Sequence, residues 1–250
     1  MFKNYFKGIK AYGNAFSLMS TLGLWKYFLV PILISIVIAL VVGFAAWGLS
    51  DNIGSLIAKL WVWEWGAQTF RSISNFMGGI TVIALGLVLY KHLVMALSAP
   101  FMGPVSEKIE AHLTGKEITN TSSQFLPLLW RGIRVNMRNL LMELFLTLPI
   151  LVLSLIPIVG IIATPLLFLV QAYYAGFGNM DYTLERHFDY KKSTVFVRSH
   201  SGLAMGNGTL FMLLLFIPVL GIILVFPLSV TAASIATLRI LYPSEKTNTP

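Results

Sequence analysis

Few residues in this chain are equipped for chemistry, and their spacing argues against covalent catalysis. Histidines stand at His92, His112, His187 and His200, with none of the helical pairing that a metalloprotease-type zinc site uses. The chain has no cysteine, which removes thiolate nucleophiles, disulfides and Cys-ligated metal centres. Gly115-Lys116-Glu117 lacks the upstream glycine and the following Ser or Thr of a phosphate loop. The chain therefore reads as a non-enzyme with no metal and no cofactor. What remains is the handling of anions, which needs backbone N–H groups, a cation or both where water is thin. A helix N-terminus supplies N–H groups and partial positive charge together.

Gly23-Leu24-Trp25-Lys26 stands at the head of the first long apolar run and is the candidate anion-binding segment. Gly23 lets the backbone approach an oxyanion, Lys26 adds a point charge and Trp25 anchors the interface. A plain turn into the membrane with a snorkelling lysine would use the same residues. Two further groups could recruit or pass anions. Arg131, Arg134 and Arg138 are spaced 3 and 4 apart and share one helical face, which would also suit a stripe against solvent or lipid headgroups. Lys91 and His92 interrupt an apolar run, where they face a wet path or a partner unless Lys91 snorkels to the nearer interface.

The elements that must hold these groups are helices in a bilayer. A chain of 250 residues that is 56% hydrophobic and 11% charged, with mean hydropathy +0.78, is too apolar for a water-soluble core. The net charge of +8 then suits the cytoplasmic side of a membrane and anionic lipid rather than nucleic acid. From Phe2 the apolar residues Phe6, Ile9, Tyr12 and Phe16 keep helical spacing, and Lys3, Lys7 and Lys10 follow one residue on. This predicts an amphipathic interfacial helix, retained rather than cleaved as a signal. Tyr27 to Leu49 carries no charge over 23 residues and is a transmembrane helix. Trp61, Trp63 and Trp65 predict an interfacial aromatic belt, and Gly78 to Pro100 a second span. Phe101 to Asn139 reads as a polar, basic segment, and Asn179 to Gly202 as a compact polar loop.

Two later segments repeat one word. Ile156-Pro157-Ile158-Val159-Gly160-Ile161-Ile162 is matched 61 residues on by Ile217-Pro218-Val219-Leu220-Gly221-Ile222-Ile223. Proline removes a backbone donor and glycine allows a tight reversal, so each word makes a hairpin tip at Pro157/Gly160 and Pro218/Gly221. Only Thr209 to Ile217 separate the flexible-looking Gly206-Asn207-Gly208 from Pro218, and nine helical residues rise about 14 Å, roughly half a bilayer. Such arms predict hairpins that dip in and return, with ordinary Pro-kinked spans as the alternative. Of the 18 Lys and Arg, all but Lys59, Arg71 and Lys91 fall on the side of the N-terminus, which places that terminus in the cytoplasm.

Ala99-Pro100-Phe101-Met102-Gly103-Pro104-Val105-Ser106-Glu107-Lys108-Ile109-Glu110 resembles the Ala-Pro-Phe-Asn…Glu-Lys-Val-Glu word that follows the second span of the CysZ sulfate permeases, bacterial inner-membrane proteins related to the etoposide-induced protein group. The Gly-Leu opening of the first span, Asp181-Tyr182 after the first hairpin and the Arg198 to Gly208 approach to the second agree by position. The resemblance implies sulfate uptake feeding cysteine synthesis, assembly into homo-oligomers of two or more subunits, and sulfate binding at the Gly-Leu opening. That family carries two Arg where this chain has Trp25 and Lys26, and Asn where it has Met102. The planar fork of Arg is not equivalent to the point charge of Lys.

The expectation is an all-α integral membrane domain over 1–250. It has an amphipathic helix and entrance turn over 1–26, transmembrane helices over 27–49 and 78–100, and partly inserted hairpins over 140–178 and 209–241. Its expected role is an inner-membrane permease for sulfate or a similar oxyanion. A protein of the same fold that organises membrane or binds anionic lipid without transport is the alternative.

Overall fold

Lipid offers no partner for backbone N–H and C=O groups, so a chain this apolar must satisfy them within its own helices. The computed structural model describes residues 2–59, 67–115, 125–154, 157–217 and 220–243, and among these every regular element is a helix. The order is α1 (Phe2–Thr21), α2 (Trp25–Ala58), α3 (Ala67–Thr114), α4 (Phe125–Ser154), α5 (Pro157–Leu184), α6 (Tyr190–Ser199), α7 (Ser201–Leu215) and α8 (Leu220–Leu241). Among the described residues, segments long and apolar enough to cross a bilayer are Trp25–Leu49, Val159–Leu184 and Ile223–Leu241. The first faces outward, with Leu33, Val37, Phe44 and Trp47 exposed. The last is the centre of the bundle: Ser229, Val230, Ala232, Ala233 and Ser234 are buried, and such small residues let neighbouring helices come close.

Several helices run further than their hydropathy predicts. The expected first span continues to Ala58 in α2, and the expected second lies inside α3, which does not stop at Pro100 but carries on to Thr114. The segment read as polar from Phe101 is thus helical over its first part, and helical again from Phe125, where α4 carries the Arg stripe directly into the apolar arm. Pro100 and Pro104 sit inside α3, where each lacks the N–H that the helix would use. Ala96 O, the carbonyl that Pro100 cannot serve, lies against α4 at Gly132, where an added Cβ would sit 2.9 Å from it and 2.5 Å from Ala99 Cβ. Complete burial of Met102, Val105 and Ile109 beyond Pro100 outweighs the local penalty. The expected polar loop from Asn179 is also largely helical: α5 runs to Leu184, and α6 follows, capped by Asp189, whose side chain accepts the Lys192 N–H at 2.8 Å.

The described residues of both Pro-Gly words lie at or next to the start of a helix. Pro157 opens α5 with Gly160 in its first turn, and Gly221 is the second residue of α8. Pro218 and the Trp61, Trp63 and Trp65 belt lie outside the described residues.

The packed face of α1 is not its aromatic one. Gly8, Ala11, Ala15 and Met19 are buried, while Phe2, Phe6 and Phe16 point outward beside Lys3, Lys7 and Lys10. The small stripe meets α7, which corrects the flexible reading of Gly206-Asn207-Gly208: all three lie buried inside a 15-residue helix. A Cβ on Gly206 would stand 2.0 Å from Tyr5 O, and one on Gly208 1.7 Å from Ala172 O. Asn207 between them accepts from Asn179 Nδ2 and donates to Ser229 O, each at 2.9 Å, while Tyr12 Oη donates to Asn207 O at 2.8 Å or lies against Ser229 Oγ at 2.7 Å. Glycine is required here because the backbones touch. Gly208→Ala is expected to cost about 1–3 kcal/mol or more through overpacking. Gly13→Ala, on the open side of α1, should instead stabilise by about 0.5–1 kcal/mol. Thermal unfolding in detergent checks the pair, and equal melting temperatures would refute the close packing.

Candidate functional site

The entrance turn is built from the C-terminus of α1. Gly23 adopts φ +60°, in the left-handed region that L side chains avoid. This lets Gly23 N–H donate to Ser20 O at 3.2 Å and Leu24 N–H donate to Met19 O at 2.9 Å, the paired reverse bonds of a Schellman motif. The accompanying apolar contact position is filled as well, since Leu24 and Met19 are both fully buried. An added Cβ at Gly23 would meet nothing within 4 Å, so the glycine answers to backbone conformation and not to space.

The geometry changes the expected role of the first two residues. The N–H groups of Gly23 and Leu24 are occupied by α1 carbonyls, so they shape the turn and do not face outward as donors. The N–H groups of Trp25 and Lys26, the first two of α2, have no backbone acceptor among the described residues. The Trp25 indole leans back over α1, edge-on to Phe16 at 5.9 Å between centroids and 3.5 Å from Ser20 Oγ. Lys26 is exposed, and its ammonium lies 5.3 Å from the centroid of the Tyr27 ring. A second ammonium, that of Lys108 from the extension of α3, lies 5.5 Å from the same centroid. No spacing rule pairs two lysines 82 residues apart, and sequence reasoning missed Lys108 because it ended the second span at Pro100.

Lys91 and His92 do not snorkel. Both are buried, and both converge on Glu143 of α4: Lys91 Nζ donates to Oε1 at 2.7 Å and to Gln171 O of α5 at 3.2 Å. His92 Nε2 lies 3.0 Å from Glu143 Oε2. A carboxylate oxygen can only accept, so that nitrogen carries the proton. The cluster fastens α3, α4 and α5 through charge matched inside the protein, as an ion in a low-dielectric setting must be. Glu143→Leu should cost about 3–5 kcal/mol by leaving Lys91 buried and unpaired, and the double change Glu143→Leu with Lys91→Met should recover most of it. Melting temperatures of the two variants decide this, and a double variant no better than the single one would overturn it.

The three arginines of α4 share a face, and that face meets α5 and α6. Arg131 grips Asp181 with Nε at 3.2 Å and Nη2 at 3.0 Å, and also donates to Phe188 O and Ser193 Oγ at 2.9 Å each. Arg134 lies over the Tyr190 ring at 4.6 Å and Arg138 over the Phe177 ring at 5.5 Å.

A polar cluster that no local pattern predicts lies beyond the expected span. Glu110 of α3 pairs with Arg186, accepts from His187 Nε2 at 3.1 Å and accepts from Tyr242 Oη at 2.7 Å. Burial would raise its pKa, but bonds from His187, Tyr242 and Arg186 together with the Arg186 charge bring it from the ordinary 4.5 down to about 2. Nearby Glu185 is the opposite case, held well above the carboxylate range by burial and then by Asp181. Because the folded Glu110 value is the lower one, its stabilisation is complete above pH 4.5 and is lost as pH falls through about 2. Wild type and Glu110→Gln should therefore differ in melting temperature by a steady amount from neutral pH to about pH 5 and converge in stronger acid. A gap that stays constant below about pH 3 would refute the assignment.

Comparison with known proteins agrees with this architecture. The sequence profile of the family described as sulfate transporter CysZ/etoposide-induced protein 2.4 matches residues 11–226. Similar curated proteins include sulfate transporter CysZ of Pseudomonas paraeruginosa, 28% identical over 231 residues covering 91% of this chain and 92% of the relative. The protein of that name from Pseudomonas aeruginosa is 27% identical over the same shares, and that from Salmonella typhimurium is 26% identical over 238 residues, 91% of this chain and 90% of the relative. With a match across most of its length, the chain belongs to the sulfate transporter CysZ/etoposide-induced protein 2.4 family.

Proposed function

We propose that the chain is a permease for sulfate or a similar oxyanion in the bacterial inner membrane, with its N-terminus in the cytoplasm, and that its transport feeds sulfur assimilation into cysteine. The relatives named above are sulfate transporters and align over nearly the whole of this chain. The single observation that carries the reading to particular residues is the entrance turn. Gly23 and Leu24 bend the chain so that the Trp25 and Lys26 N–H groups, which have no backbone acceptor among the described residues, and the Lys26 side chain stand at the positive end of α2. Trp25 anchors this turn against α1 and leaves charge compensation to Lys26.

In this reading the turn recruits the anion, and the helix pairs α4/α5 and α7/α8 line its route. The arginines of α4 raise the local anion concentration, Arg134 and Arg138 more than the paired Arg131. The protein works as a homo-oligomer without a cofactor and without enzymatic chemistry. Purified protein in liposomes should pass radiolabelled sulfate above the rate of empty vesicles, and Lys26→Gln should weaken sulfate binding about tenfold, the worth of one charge-assisted contact of about 1.5 kcal/mol. Wild-type flux no greater than that of empty vesicles would sink the proposal.

A further inference from the structure

Lys108 stands where the α3 extension passes the entrance turn, and its position calls for explanation. Its ammonium and that of Lys26 share the Tyr27 ring, at 5.5 and 5.3 Å from the centroid, so two charges that repel each other are placed on one aromatic side chain. Neither has a carboxylate within ion-pair distance among the described residues, and both are exposed. This sets them apart from Lys91, Arg131 and Arg186, each of which has an internal acid. The ring partly offsets the repulsion through its negative face but neutralises neither charge. Two positive charges without an internal acid therefore meet on the ring of Tyr27, the third residue of a helix whose first two N–H groups have no backbone acceptor among the described residues and whose entrance is shaped by a left-handed glycine.

We infer that Lys108 is the second cation of the anion site, and that Lys26 and Lys108, held on Tyr27, form a clip that selects doubly charged tetrahedral oxyanions over singly charged ones. This rests on the permease reading above and adds to it a residue and a basis for specificity. One ammonium suffices to balance a monoanion, so a second gains little from it. A dianion placed between two ammoniums is balanced by both and removes their mutual repulsion.

The test compares sulfate with perchlorate, which has the same tetrahedral shape and half the charge. Binding to purified protein in detergent is measured by calorimetry, at matched ionic strength, for wild type, Lys26→Gln, Lys108→Gln and Lys108→Arg, with melting temperatures without sulfate to verify folding. Lys108→Gln is expected to weaken sulfate about tenfold and perchlorate less than about twofold, so the selectivity ratio collapses, while Lys108→Arg retains most of it. If Lys26→Gln weakens sulfate and Lys108→Gln does not, the clip is wrong and the entrance-turn site stands. A Lys108→Gln variant that weakens both anions equally also overturns the clip, since that is the mark of a diffuse field or a structural role. If neither lysine matters, both the clip and the entrance-turn assignment fall.

Discussion

The backbone of α7 lies against the backbones of α1 and α5 with no side chain between them, at Gly206 against Tyr5 and at Gly208 against Ala172. In lipid the hydrophobic effect does little to press helices together, so contact must come from close van der Waals packing and interhelical hydrogen bonds. The glycines permit the first, and Asn207, bonded to both Asn179 and Ser229, supplies the second. Once α1 is seated in this way its C-terminus is fixed, and with it the turn at Gly23 and the direction in which α2 departs. A turn at the protein surface thus takes its geometry from packing on the other side of the same helix.

The second constraint is charge. Three buried or half-buried cations described in the bundle each have an acid from another helix: Lys91 of α3 has Glu143 of α4, Arg131 of α4 has Asp181 of α5, and Arg186 just after α5 has Glu110 of α3. These pairs tie α3, α4 and α5 into a set of fixed mutual register, because breaking any one would leave an uncompensated charge away from water. The long, unexpected reach of α3 follows from this and from the burial of Met102, Val105 and Ile109: Glu110 can meet Arg186 only if the helix survives two prolines.

How much of this was legible depended on whether a feature was local. Helices and their apolar character follow from composition and from the backbone chemistry of single residues, and they were readable. So was the entrance turn, placed where the amphipathic helix passes into the first apolar run; its Schellman bonds, which occupy the Gly23 and Leu24 N–H groups, were not. Helix ends were misjudged wherever tertiary packing overrode a local breaker, at Pro100, Pro104 and Gly206 to Gly208. Partners were illegible for a different reason. Glu143 was visible as a lone acid in an apolar run and Lys91 as a lone base in another, yet only the fold brings residues 52 apart to within 2.7 Å.

The distribution of cations bears on the anion site proposed above. Those inside are already balanced, and a sulfate entering there would compete with a carboxylate held in place by the fold. Four exposed or half-buried cations are held differently: Lys26 and Lys108 on Tyr27, Arg134 on Tyr190 and Arg138 on Phe177. An aromatic face orients a cation for about 0.5–1 kcal/mol at an exposed site and leaves its full charge unspent. A carboxylate would orient it more firmly and cancel the charge. Aromatic seating therefore resolves the conflict between fixing a cation's position and keeping it available. It also accounts for an aromatic-rich surface near the entrance turn that membrane anchoring alone would not require, since Tyr27 is only partly exposed and its ring serves two lysines from different helices.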